Sequence, residues 1–248
     1  MPKQLVHIFS IMCLYFLTSL GSTAASENTT LQSFESTYDL RGYGVLEVER
    51  SVTLLQEENN HYILRATNKA SGLAALVGYG PIIEESRFMM TSGQIRPLAY
   101  KNIDESGISG LDDTIIFDWD QKISNSKRKE MVFSIPITPE VLDPLTIVLR
   151  VRLDLKAGLR PTLYRVHETE TIRTYHISYV TTEKVNISNI ELDAIHLVVD
   201  AGRPNRRLHY WLAPAHDYLP IQMQQIHKEK VEVRAILTSS SLLPSIVN

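Results

Sequence analysis

The sequence predicts a mainly β protein: a long curved antiparallel sheet or an incomplete β-barrel, with one or two short helices. Three observations predict it. Period-two alternation of apolar and polar residues recurs in short segments across residues 34–237, bounded by Gly, Asn, Asp and Pro. The joins are short, so successive strands become antiparallel neighbours with one wet face. Two stretches, near 70–78 and 144–157, interrupt the alternation with Leu, Val and Ala. A chain of 248 residues can bury a large core as one domain. Large twisted sheets curl.

The first 25 residues differ from the rest. Lys3 gives a positive start, residues 8–20 are mostly apolar, and residues 21–25 are small. This is the pattern of a secretory signal peptide cleaved after Ala24 or Ala25. The apolar run of 13 residues is short of the ~20 that a spanning helix needs. The expected plan is a signal peptide at 1–25, one β-rich domain at 26–238 and a loose tail at 239–248. Cys13 is the only cysteine, and Met12 before it is not the small residue that lipid attachment wants. Cleavage therefore leaves no disulfide, thiolate metal site or cysteine nucleophile. An exported chain of this kind fits a bacterial periplasm. The formal charge of −3 and the lack of a basic stripe exclude a nucleic-acid binder.

Residues 34–40 alternate, 42–44 turn, and 45–54 continue as a strand. Residues 57–60 form a charged turn and 61–67 return. Strands follow at 82–90 and 94–102, where Pro97 marks a bulge or an edge. Another is expected at 114–119, and a basic run at 127–129 reads as a solvated turn or a lipid-headgroup contact. Residues 149–155 alternate like a strand, but both ends carry helix signals. Asp143 can cap, Pro144 suits the first turn and Gly158 the stop. Helix is the expectation for 144–157, with Leu145, Val148, Leu149 and Arg152 on one face. Later strands are expected at 162–169, 172–183, 185–188, 191–200, 207–212, 219–227 and 231–237. Residues 208–225 read as a hairpin whose corner holds Pro214 and a turn at 215–217, with Pro220 opening the second strand.

Several of these pieces form an ordered set. They are Phe34 with Tyr38, Glu85-Ser86-Arg87-Phe88, the GQIRPLAY run at 93–100, Phe117-Asp118-Trp119, Asp143-Pro144-Leu145-Thr146, Trp211-Leu212-Ala213-Pro214 and Leu219-Pro220-Ile221. Their order and spacing resemble a bacterial family of exported proteins known only as domain of unknown function 3108. Thr146 stands where that family leads one to expect Ser. The resemblance spans nearly all of the mature chain. It implies an exported β architecture and brings no activity and no catalytic residues. The expected shape is also similar, as a fold only, to half-barrel lipoprotein carriers.

Motifs for chemistry are sparse. There is no HExxH, GxSxG, phosphate loop or GxGxxG, and no cofactor is expected. The histidines are scattered, although His196 and His209 can meet across neighbouring strands. Asp118 and Asp120 flank Trp119 and are the one carboxylate pair to weigh for glycan hydrolysis. The alternative for that pair is a strand end turning into solvent. Arg87 and Arg96 are expected to pair with acids across strands. The apolar inventory carries more. Leu73, Leu76, Val77, Leu145, Val148 and Leu149 belong to two helical candidates that could cover a concave sheet face, with Trp211 as a further candidate. The space beneath is either solid core or a ligand cavity. The expected function is non-enzymatic binding of an apolar or lipid-like molecule. The alternatives are an envelope protein partner held through strand edges or the Trp211 corner, or a glycan hydrolase.

Overall fold

Fifteen strands hydrogen-bond into one sheet among the described residues, and a single helix packs into its curve. The computed structural model describes residues 31–42, 46–70, 80–105, 112–187 and 189–243. The expected signal peptide, and the segment holding Leu73, Leu76 and Val77, lie outside them.

Alternation builds the first half. In β1 (Phe34–Gly42), Phe34, Ser36 and Tyr38 are buried. β2 (Leu46–Gln56), β3 (His61–Ala70), β4 (Ile82–Thr91) and β5 (Gln94–Asp104) then follow as meander hairpins. Asn59 and Asn60 both take positive φ at the β2–β3 turn, as a two-residue hairpin loop demands. Beside Pro97 the β4–β5 register slips, so Arg87 faces Ala99 and Phe88 faces Pro97. That is the expected bulge. β6 (Asp113–Asp118) alternates strictly, burying Asp113, Ile115 and Phe117. β7 (Ile123–Arg128) and β8 (Met131–Pro136) complete this half. Here the expectation for 127–129 changes. The basic run spans the hairpin: Lys127 and Arg128 lie on β7, and only Lys129, at positive φ, is in the turn. Arg128 is paired with Asp113 and Glu170, so it is not a free headgroup contact.

The chain then crosses to the far edge. β9 (Val141–Leu142) pairs in parallel with β10 (Leu163–Glu168), and helix α1 (Thr146–Lys156) lies between them in sequence. β11 (Thr171–Ile187) is one long strand where two were expected, bent by a register shift near Val180. β12 (Ile190–Asp200), β13 (Arg206–Ala213), β14 (Leu219–His227) and β15 (Lys230–Ser240) return to the middle, and β15 pairs with β1. The two halves thus join at the centre of the sheet, leaving β8 and β9 as its edges. β15 runs to Ser240, two residues into the expected tail, and the Ser241 amide donates to the Glu35 carbonyl at 2.9 Å.

The edges curl towards each other without closing a barrel by backbone pairing. Side chains bridge the seam instead. Ser124 on β7 and His167 on β10 share a hydrogen bond of 2.6 Å between Oγ and Nε2. Ser126 donates to the Thr169 carbonyl, and Arg128 reaches Glu170 at 2.6 Å. His167 is fully buried, with its ring edge against Phe117. Burial pushes its pKa down to about 4.

Candidate functional site: the space around the buried helix

The end signals, not the periodicity, explain α1. The Asp143 carboxylate accepts the amides of Leu145 and Thr146, both at 2.9 Å, while the Thr146 hydroxyl accepts the Asp143 amide at 3.2 Å. This reciprocal cap satisfies donors that a helix start leaves open. At the other end Gly158, at φ 74°, donates to Leu155, and the Leu159 amide donates to Asp154. These two bonds form a Schellman stop. Asp143 is fully buried and also takes a bond of 2.5 Å from the Ser86 hydroxyl on β4. Burial raises its pKa to about 6, against the opposing pull of those donors.

The helix is buried on several sides, as a helix in the centre of a domain must be. Two of its other charges match each other. Arg150 pairs with Asp154, which also accepts the Tyr164 hydroxyl at 2.8 Å.

Packing of α1 against the sheet leaves two neighbouring inner spaces. The larger, of about 240 Å³, lies towards β11–β14 and is walled by Ile147, Val151, Ile177, Leu197, Tyr210 and Leu212. Arg203 from the β12–β13 turn, and Arg206 and Arg207 at the start of β13, also line it. The smaller, of about 110 Å³, lies towards β1–β4 and is lined by Leu145, Val148, Leu149 and Arg152 of the helix segment. Pro144, Val148 and Tyr210 wall both spaces. A third space of about 230 Å³ follows at the far end of the helix, and it shares Phe34, Leu149 and Arg152 with the smaller space.

Leu145, Val148 and Leu149 therefore stand where the sequence placed them, on a face that lines an inner space. Trp211 is set apart from them. Tyr210 points into the curve, and alternation puts Trp211 on the other face of β13. There it stacks on His196, with ring centroids 4.3 Å apart, and its indole N–H donates to Glu183. His196 and His209 do meet, at 2.9 Å, and burial lowers both pKa values. Among the described residues no group of three or more His, Cys, Asp or Glu is arranged to hold a metal ion.

The carboxylate pair is corrected. Asp118 and Asp120 are exposed, and Asp120 lies beyond the end of β6 in a turn. Asp118 accepts the Gln121 amide at 2.9 Å, closing that turn. Neither carboxylate lines one of the recesses around Trp119 or the helix, so the hydrolase alternative is not supported. Arg96 is corrected too. Its guanidinium lies over the Trp119 ring, 4.9 Å from the centroid, rather than beside an acid. It lines a recess of about 510 Å³ away from the helix.

Sequence reasoning missed Tyr210 and Arg152 as lining residues. Alternation with Leu208 and Leu212 was the available signal for Tyr210. Arg152 is a charge on an otherwise apolar helical face, which by itself gives no sign of a lining role.

The residues that carry the family resemblance meet in pairs. Ser86 bonds Asp143. The Trp119 indole donates to the Pro97 carbonyl at 2.6 Å, and the Tyr38 hydroxyl donates to the Pro220 carbonyl at 3.0 Å. Each bond ties together segments far apart in sequence.

In comparisons with solved structures, the chain is similar to a β-barrel-like protein of domain of unknown function DUF1849 from Brucella abortus. The TM-score is 0.54 and the identity 9%, over 84% of this chain and 96% of that one. Weaker likenesses reach the Pseudomonas aeruginosa MucA/MucB complex, with a TM-score of 0.35 and 12% identity over 89% of this chain and 56% of that one. Another is to a Bacteroides fragilis protein described as exported, with a YmcC-like fold, with a TM-score of 0.33 and 10% identity over 86% and 97%. The chain matches no curated protein. No helix among the described residues is long and apolar enough to cross a membrane. Residues 37–229 match the model of the protein family of unknown function DUF3108, and the chain belongs to that family.

Proposed function

We propose that this is an exported, non-enzymatic protein that holds an apolar, lipid-like molecule between α1 and the concave face of its sheet. One observation carries the reading. Here about 240 Å³ stays open beneath a capped helix, walled by aliphatic and aromatic side chains. Small-molecule sites have this character, an apolar lining with a few placed polar groups. The polar groups at this one are Arg203, Arg206, Arg207 and Gln225. The signal pattern of residues 1–25 supports export to the periplasm.

Protein purified from its native compartment and extracted with organic solvent is expected to release a narrow set of amphiphiles, close to one per chain by mass spectrometry. Protein that releases none, and takes up no alkyl-chain probe after delipidation, would sink the reading.

A further inference from the structure

Arg152 stands out among the charged side chains of the interior. It is 7% exposed, and its guanidinium lies over the Phe34 ring, 4.8 Å from the centroid. Its Nε donates to the Asp217 backbone carbonyl at 3.1 Å. No carboxylate pairs with it among the described residues. The nearby acids have closer partners of their own: Asp217, whose charge acts on Arg152 at longer range, pairs with Lys156 at 2.6 Å, and Glu84 pairs with Arg50 at 3.1 Å. The phenol of Tyr38 remains neutral, because burial pushes its pKa up to about 12. A buried charge without a counterion is costly, and proteins ordinarily pair it. Arg152 instead lines both the space of about 110 Å³ and that of about 230 Å³, at the wall they share.

We infer that Arg152 is the receptor for the anionic head of the ligand: the occupant is a single-chain amphiphile ending in a carboxylate or a phosphate, with its alkyl chain along Leu149, Val148 and Tyr210. This rests on the lipid-pocket reading and adds the sign and position of the headgroup. The planar guanidinium fork, whose terminal nitrogens bond no other side chain or carbonyl among the described residues, matches both oxyanions in a bidentate way, which an ammonium cannot do. The walls fit the remainder. Val148 and Tyr210 continue from the smaller space into the larger, so the chain has an apolar path away from Arg152.

The test is calorimetric titration of delipidated full-length protein with dodecanoate, dodecyl phosphate and dodecanol. These ligands share the alkyl chain and differ in the head. The expected result is that at least one anion binds about tenfold or more tighter than dodecanol. The preferred anion then tells a fatty acid from a phosphate-bearing lipid. In Arg152→Gln the anions should bind no tighter than dodecanol, and Arg152→Lys should restore part of the preference. Equal binding of all three by the unaltered protein overturns the inference and leaves the apolar cavity standing. Binding of none overturns both. The comparison among ligands needs no variant, so a failure of Arg152→Gln to fold does not rescue the idea.

Discussion

Replacing Asp143 by alanine is expected to destabilise the protein by about 3 kcal/mol at neutral pH. Three donors lose their acceptor at once: the Leu145 and Thr146 amides and the Ser86 hydroxyl. Each buried group left unsatisfied costs about 1–3 kcal/mol. The loss is partly offset, because the substitution also removes a carboxylate whose pKa burial raises to about 6. The damage also has a location. Asp143 joins the start of α1 to β4, so its loss removes one tie between the helix and the first half of the sheet. Asp143→Asn keeps an oxygen acceptor for the cap and sheds the charge, so it should cost less than about 1 kcal/mol by the capping ranking. Urea unfolding of the two variants checks the contrast. Equal losses for Ala and Asn would mean that the cap is not what holds the helix.

The second large effect concerns pH, and it involves two buried groups of opposite sign. His167 falls from the ordinary 6.5 to about 4 on folding. Between these values the unfolded chain binds the extra proton, so this contribution is complete above pH 6.5 and is lost as pH falls towards 4. Asp143 rises from 3.8 to about 6. Here the folded chain binds the extra proton, so its contribution is complete below pH 3.8 and is lost as pH rises through 6. Each shift corresponds to about 3 kcal/mol. In the unaltered protein the two largely cancel between pH 4 and 6.5. Asp143→Asn should uncover the histidine, and that variant is expected to lose about 3 kcal/mol relative to the parent as pH drops from 7 to 4. Thermal unfolding at stepped pH measures this. Parallel pH curves for the two proteins would contradict it.

Much of the architecture could be read in the chain before any coordinates. A strand at 114–119 was legible, and β6 covers Asp113–Asp118, although only the structure shows that Ile115 is buried while Ile116 is exposed. The helix was legible from Asp143, Pro144 and Gly158, whose backbone preferences are local. Partners distant in sequence were not legible. Alternation tells which face a residue takes but not which strand lies beside it, so the β1–β15 pairing has no local signature. The seam bond between Ser124 and His167 depends on how far the sheet curls, which no single segment encodes. The site divides in the same way. Leu145, Val148 and Leu149 followed from helical spacing. Trp211 did not, because a bulky residue beside a turn can face either side of a strand. Arg152 looked like a flaw for a related reason: a cation on an apolar stripe makes sense only once the space beside it is known.

The central claim is that the space around α1 holds an alkyl chain. Val148 walls both inner spaces, so Val148→Trp should fill them from the helix side. The most direct measurement is titration of a polarity-sensitive alkyl fluorophore into the delipidated parent and this variant, with melting curves alongside. The account predicts saturable, one-to-one uptake by the parent. It predicts at least a tenfold weakening in a variant that still unfolds cooperatively, with overpacking costing no more than about 1–3 kcal/mol. Equal uptake by both proteins, or no saturable uptake by the parent, would contradict it.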